Sequence, residues 1–226
     1  MNVFFADQPL TVDGSVVLDD LEHRHLALSL RKRPGEEIAI TNGRGIIASA
    51  ILESVGKKTS VAIVSTVKEY PEGPARHLIL GFIKHRERQD WVLEKAVELG
   101  ATAITLVATD HAEKDRVNAV RIRQLVIAAM KQSGRSWLVP VATAGSLADA
   151  WNTAGALRKV VAHEKVAASQ RFFPDTETGY ALFVGPEGGF SHAEIAFVES
   201  QQAQLVSLGP NRLRAETAAL AMLSRF

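Results

Sequence analysis

"LFVGPEGGFSHAEI", residues 182–195, packs three glycines and a proline into one turn, with a carboxylate, Glu187, at its centre. Leu182, Phe183 and Val184 read as the end of a buried strand. Ser191, three residues before Glu194, reads as the capping box that opens a helix. A strand-to-helix turn this rich in glycine lets something approach the backbone closely.

Outward from that turn the same rhythm repeats. "HLILGFI", "AITLVAT", "KVVAH", "YALFV" and "AQLVSLG" read as strands. "RQDWVLEKAVELG", "VNAVRIRQLVIAAMKQSG", "SLADAWNTA", "SHAEIAFVESQQ" and "AETAALAMLSRF" read as the helices between and after them. The alternation predicts an α/β fold, a parallel sheet with helices on both faces. Residues 1–70 are β-rich instead. "EEIAI" and "GIIASAIL" flank the turn "TNGRG" as a hairpin, "TSVAIVSTV" adds a strand, and a helix from Leu21 to Leu30 follows Asp19-Asp20. "YPEGPAR" carries two prolines and a glycine and reads as a linker. The expected domains are therefore 1–70 and 77–226, joined by 71–76.

The 226 residues are 46% apolar and 23% charged, the balance of an ordinary soluble globular protein. Lack of cysteine removes disulfides, thiolate zinc sites and a cysteine nucleophile together. No charged segment leads into an apolar stretch at the N-terminus and no run reaches membrane-spanning length, so a cytoplasmic protein with no membrane partner is expected. Net charge is only +1. Basic residues nonetheless cluster at Arg31-Lys32-Arg33 and from Arg116 to Arg135, which makes a localised anionic partner plausible and no more. His23 and His25 have no third ligand spaced to join them, so no metal is expected. Trp91, Trp137 and Trp151 read as core residues.

In open parallel sheets, ligands bind where strand-to-helix loops converge. Two such loops stand out, Gly185-Pro186-Glu187-Gly188-Gly189 and "LGPNRLRAET" at 208–217. The dinucleotide G-x-G-x-x-G and the phosphate-binding G-x-x-x-x-G-K-[ST] are both absent. Glu187 sits where a phosphate would meet backbone N–H groups and would repel it. A nucleoside carrying a positive charge, such as S-adenosylmethionine, fits better.

"FVGPEGGFSHAEI" with "LGPNRLRAETAAL" resembles the C-terminal signature of the bacterial small-subunit rRNA (uracil-N3)-methyltransferases of the SPOUT class. The likeness extends through "KHRERQDWVLEKAVELGATAI" and "RQLVIAAMKQSGRSWLVPV" to "HRHLALSLRKRPGEEIAITNGRG", and so covers most of the chain. It departs from the family at Asn211-Arg212-Leu213-Arg214, where an arginine, two aliphatics and an arginine are expected. The resemblance implies a PUA-like β-barrel at the N-terminus that helps hold RNA. It also implies a C-terminal SPOUT domain with a deep trefoil knot, a homodimer, and 16S rRNA or the small ribosomal subunit as partner.

Carried onto this sequence, the resemblance implies a cofactor site formed by Val184, Gly185, Pro186, Glu187, Gly188 and Gly189 with Leu208, Gly209, Pro210, Arg212, Leu213, Arg214 and Thr217. Leu80 and Gly81, at an earlier strand end, are expected to join them. A β-branched side chain at Gly188 would fill space the cofactor needs. RNA contacts are expected from Arg24, Arg31, Lys32, Arg33, Lys84, Arg86, Gln132 and Arg135, with Arg88 a further candidate for RNA phosphate. Uracil N3 becomes nucleophilic only as its proton leaves, and the developing anion spreads onto O2 and O4. A guanidinium beside those oxygens would stabilise it, and Arg214 is the candidate. Glu216 is a candidate base, although a glutamate in a helix's first turn is equally a dipole partner. A methyltransferase of this class acting on tRNA or 23S rRNA, and a non-catalytic RNA-binding module, are the alternatives.

Overall fold

The computed structural model describes residues 3–18, 20–112, 117–164, 166, 174–175 and 177–226. Asp19 and Arg116 lie outside them. The chain forms two compact units, one of Met1–Glu72 with Met130–Leu138, the other of Gly73–Ala129 with Val139–Phe226.

In the first unit the strands are β1 (Val3–Phe5), β2 (Ser15–Leu18), β3 (Glu37–Thr41), β4 (Ile46–Val55) and β5 (Ser60–Glu69), paired in the order β1-β3-β4-β5-β2. β3 and β4 form the expected hairpin, with Thr41 opposite Ile47. Its turn is tied by Asn42, whose Oδ1 accepts from Arg44 N at 2.8 Å, and by Thr41 Oγ1, which donates to Ile46 O at 2.8 Å. Alternate strand residues, among them Phe4, Leu18, Ile38, Ile40, Leu52 and Val64, close the core with Leu26. The expected helix at 21–30 is α1 (Asp20–Arg24) followed by a π-helical turn, His25–Ser29. The wider turn buries Leu26 and leaves Leu28 70% exposed. Lys131 donates to Glu22 Oε1 at 2.5 Å, both side chains mostly buried, which fastens the 130–138 segment to α1.

The second unit contains β6 (Arg76–Gly81), α2 (Arg86–Glu98), β7 (Ala103–Val107), α3 (Ala119–Gln132, whose last turn belongs to the first unit), β8 (Val141–Ala144), α4 (Leu147–Thr153), β9 (Arg158–Ala162), β10 (Tyr180–Val184), α5 (His192–Ser200), β11 (Gln204–Val206) and α6 (Ala215–Arg225). The six strands are all parallel, in the order β11-β9-β10-β6-β7-β8. β10, late in the chain, thus lies between β6 and β9. All five of its residues are buried, as a central strand covered on both faces requires. Ala181 and Phe183 pack with Trp151 of α4 and Val198 of α5. Tyr180, on the opposite side of the pleat, meets Phe226 edge-on at 5.0 Å, and α6 packs on β10 and β6. β8 has no counterpart in the sequence reading. Of its four residues only Ala144 is buried, so an edge strand carries no apolar run to betray it. Among the described residues no helix is long and apolar enough to cross a membrane.

His77 in β6 is 9% exposed, and its Nε2 shares a hydrogen bond of 2.8 Å with Thr105 Oγ1 of β7. Burial pushes its pKa below the ordinary value of 6.5. The unfolded chain therefore takes up this proton first as the pH falls. The contribution of His77 to stability is expected to be full above about pH 6.5 and to fall as the pH drops below it. Urea midpoints across that range check this, since His77→Gln should lose part of the pH dependence. Matching profiles for the two proteins would place its source elsewhere.

Candidate active site

The turn that follows β10 folds back over the end of β6. A Cβ added to Gly81 would lie 2.5 Å from Pro186 Cδ and 2.6 Å from Pro186 N, so glycine is what lets the two segments touch. Gly189 N closes the turn onto Pro186 O at 2.9 Å with a φ of +69°, a conformation that favours glycine. The capping box forms as read. Ser191 Oγ accepts from Glu194 N, and Ser191 N donates to Glu194 Oε2 at 2.8 Å. Glu194 also accepts from Asp110 N at 3.1 Å, and Ser191 Oγ donates to Asp110 Oδ2 at 2.6 Å. The segment after β7 thereby anchors the glycine turn. His111 Nδ1 completes the anchor against Gly188 O at 3.1 Å.

Opposite this turn runs the loop from β11 to α6. Arg225, near the end of α6, reaches back to donate to Ser207 O and Leu208 O at 2.9 and 3.0 Å. Between the loops lies a cavity of about 1150 Å³, walled chiefly by residues 184–190 and 207–215, by 162–164 at the end of β9, and by one side of α5. Val184, Gly185, Pro186, Glu187, Gly188, Gly189, Leu208, Gly209, Pro210, Arg212, Leu213 and Arg214 all reach its wall.

Three expected wall residues do not. Leu80 is fully buried, Gly81 lies beneath Pro186, and Thr217 is exposed on α6 away from the wall. A Cβ at Gly188 would meet His111 Cβ at 2.9 Å, and His111 is itself part of the cavity wall.

Arg88, in the first turn of α2, is an ion-pair hub rather than an open RNA contact. Its Nε and Nη2 donate to Glu216 Oε1 at 3.0 and 2.8 Å, Nη2 to Glu216 Oε2 at 2.6 Å, and Nη1 to Glu187 Oε1 at 3.1 Å. Burial pushes the Glu216 carboxyl up, but the Arg88 hydrogen bonds and the charges of Arg88 and Arg214 outweigh it and leave it below the ordinary carboxylate value. The Glu216 hydrogen bonds hold the Arg88 guanidinium above its own. The two carboxylates thus share one guanidinium, and the charge of Arg214 also acts on Glu216. Arg212 crosses the same mouth from the other side, 3.4 Å from Glu164 Oε2, with both side chains exposed. Arg214 is the N-cap of α6, exposed at the lip, and its guanidinium meets no hydrogen-bond partner among the described residues.

The residues expected to contact RNA fall in both units. Arg24, Arg31, Arg33 and Gln132 are exposed in the first, whereas Lys32 pairs with Glu36 at 2.7 Å and Arg135 is half-buried. Lys84 and Arg86 are exposed in the second. Among the described residues no group of acids and histidines is set to hold a metal. Trp151 lies in the core as expected, but Trp91 on α2 is 45% exposed.

The family model "RNA methyltransferase domain" matches residues 71–226, and "RNA methyltransferase PUA domain" matches 18–65. A ribosomal RNA small subunit methyltransferase E from Neisseria gonorrhoeae, solved bound to S-adenosyl methionine, superposes with a TM-score of 0.86 at 30% identity, over 99% of this chain and 95% of that one. The chain belongs to the ribosomal RNA small subunit methyltransferase E family. A Bacillus subtilis member is 28% identical over 90% of this chain and 86% of its own length. A Legionella pneumophila methyltransferase, in complex with its cofactor SAM, has a TM-score of 0.86 at 27% identity, over 98% and 95%. Family membership accounts for both units, the PUA match falling in the first and most of the methyltransferase match in the second.

Proposed function

We propose that the chain methylates N3 of a uridine in 16S ribosomal RNA, free or in the small subunit, with S-adenosylmethionine as methyl donor. The observation that carries this is the cavity between the loops after β10 and β11, with Glu187 in its glycine turn and Arg214 at its lip. Its volume of about 1150 Å³ exceeds the roughly 300–1,000 Å³ of most small-molecule sites, enough for a nucleoside cofactor and a target base. The Glu187 carboxylate disfavours a phosphate beside that turn and favours a cation. The two cofactor-bound relatives support the same ligand. The insertion of β10 between β6 and β9 supports the knotted path that the family resemblance implies.

Residues 184–190 and 208–214 would hold the cofactor, with backbone N–H and C=O groups reading the adenine edge and Glu187 facing the positive end. When bound, the cofactor supplies an electrophilic methyl group. The chain's part is to make N3 nucleophilic. Arg214, exposed at the lip with its donors open, stabilises the charge that develops on the uracil carbonyls. Glu216 serves as the anchor of Arg88 and not as the base, because both its oxygens already accept from that guanidinium. Arg24, Arg31, Arg33, Lys84, Arg86 and Gln132 would contact the RNA. Nucleoside mass spectrometry of 16S rRNA from a deletion strain tests the reading. N3-methyluridine should vanish and return with the wild-type gene. Its persistence, or loss of a different methylated nucleoside from tRNA or 23S rRNA, would overturn the assignment.

A homodimer belongs to the same proposal. Trp91 stands 45% exposed on α2, the helix that also carries Arg88, and a second copy would cover it. Light scattering at micromolar concentration should give twice the chain mass, and Trp91→Glu should shift it to the monomer. A monomer mass for the wild type would refute the dimer.

A further inference from the structure

We infer that Arg88 is a positioning residue for the cofactor cavity, holding its two walls in register by gripping Glu187 and Glu216 at once. The inference rests on the cavity being the S-adenosylmethionine site. Glu187 belongs to the turn after β10, and Glu216 to the first turn of α6, directly after the opposite loop. The two reach one guanidinium from positions 99 and 128 residues away along the chain. Arg88 itself is rigidly carried, because α2 packs against α6 and buries Val92, Leu93, Ala96 and Val97. The planar fork is what allows this grip. Nε and Nη2 face one carboxylate while Nη1 points to the second, a division that an ammonium on a flexible stem does not reproduce. Without Arg88, two carboxylates would face each other across a partly buried gap and push the walls apart.

Positioning and bare charge make opposite demands on a ligand pair. S-adenosylmethionine is cationic at sulfur, and S-adenosylhomocysteine, which lacks the transferred methyl group, is neutral there and otherwise alike. If Arg88 sets the walls, Arg88→Gln weakens both ligands alike, by about tenfold or more. If Arg88 acted only as a charge, its removal would favour the cation over the neutral analogue and shift their ratio. Calorimetric titration of wild type, Arg88→Lys, Arg88→Gln and Arg88→Gln/Glu216→Gln with both ligands separates these, with thermal midpoints on the same samples. Expected are parallel losses for Arg88→Gln, a smaller parallel loss for Arg88→Lys, and partial recovery in the double variant, whose second carboxylate is gone. Unchanged affinities, or a changed ratio, would overturn the inference. Should Arg88→Gln not fold, the same comparison for Arg88→Lys decides. Failure of the wild type to bind S-adenosylmethionine would instead remove the cofactor reading on which the inference rests.

Discussion

Replacement of Arg214 by lysine is expected to abolish most methyl transfer while leaving cofactor affinity near that of the wild type. Arg214 caps α6 with its backbone, at φ −67° and ψ 155°, and that duty does not depend on the side chain. Its guanidinium is therefore left to act at the cavity lip. Lysine keeps the positive charge but loses the planar, multi-donor fork that meets a carbonyl oxygen as it gains charge. An interaction realised mainly in the transition state lowers turnover more than binding. Loss of one preorganised donor costs roughly 3 kcal/mol, or about a hundredfold in rate. Single-turnover methylation of the rRNA or subunit, with cofactor affinity measured on the same sample, checks this. A chemical step within about threefold of wild type, far below that expectation, would clear Arg214 of the role. Collapse of cofactor affinity would make it a loop anchor instead.

The second large effect is expected at Gly81, which never touches the cavity. A methyl group there would lie 2.5 Å from Pro186 Cδ and 3.2 Å from Gly185 C, inside the backbone of the turn that forms one wall. Overpacking of this kind costs roughly 1–3 kcal/mol, and here the strain falls on a cofactor loop. Gly81→Ala should thus lower the thermal midpoint and weaken S-adenosylmethionine at least about tenfold, the equivalent of some 1.4 kcal/mol. Gly188→Ala is the contrasting variant. Its new methyl lies 2.9 Å from His111 Cβ, a looser contact than Gly81 makes with Pro186 and with no backbone atom among the three nearest, and the effect should be smaller. Equal losses in the two variants, or a larger one at Gly188, would show that the turn does not rest on Gly81.

Much of this was legible in the residues. The β3–β4 hairpin, the strand-helix alternation and the Ser191–Glu194 capping box are local patterns, and each reports a burial period or a turn chemistry within a few neighbours. The cavity loops were legible for the same reason, because glycine, proline and charge crowd into short stretches. What escaped was non-local. Arg88 looks like any basic residue opening a helix until Glu216 arrives 128 residues later. Leu80 and Gly81 stand at the right strand end, but only the fold shows that Leu80 is buried and that Pro186 covers Gly81. Trp91 reads as core by its size, yet helical position rather than residue type decides which side faces out. The edge strand β8 has too little buried surface to register.

The central place of β10 also sets a timetable for the molecule's own making. Its neighbour β6 ends at Gly81, and β10 begins at Tyr180. Translation at about 5–20 residues per second leaves an interval of roughly 5–20 s in which β6 has been synthesised and β10 has not. For that interval one side of β6 presents unpaired N–H and C=O groups on a strand of buried, apolar character. The ladder then closes across a span of about a hundred residues, the long-range pairing that makes parallel sheets slow to form. A protein built to modify the ribosome's RNA is thus itself, while still being synthesised on a ribosome, an open sheet waiting for its middle strand.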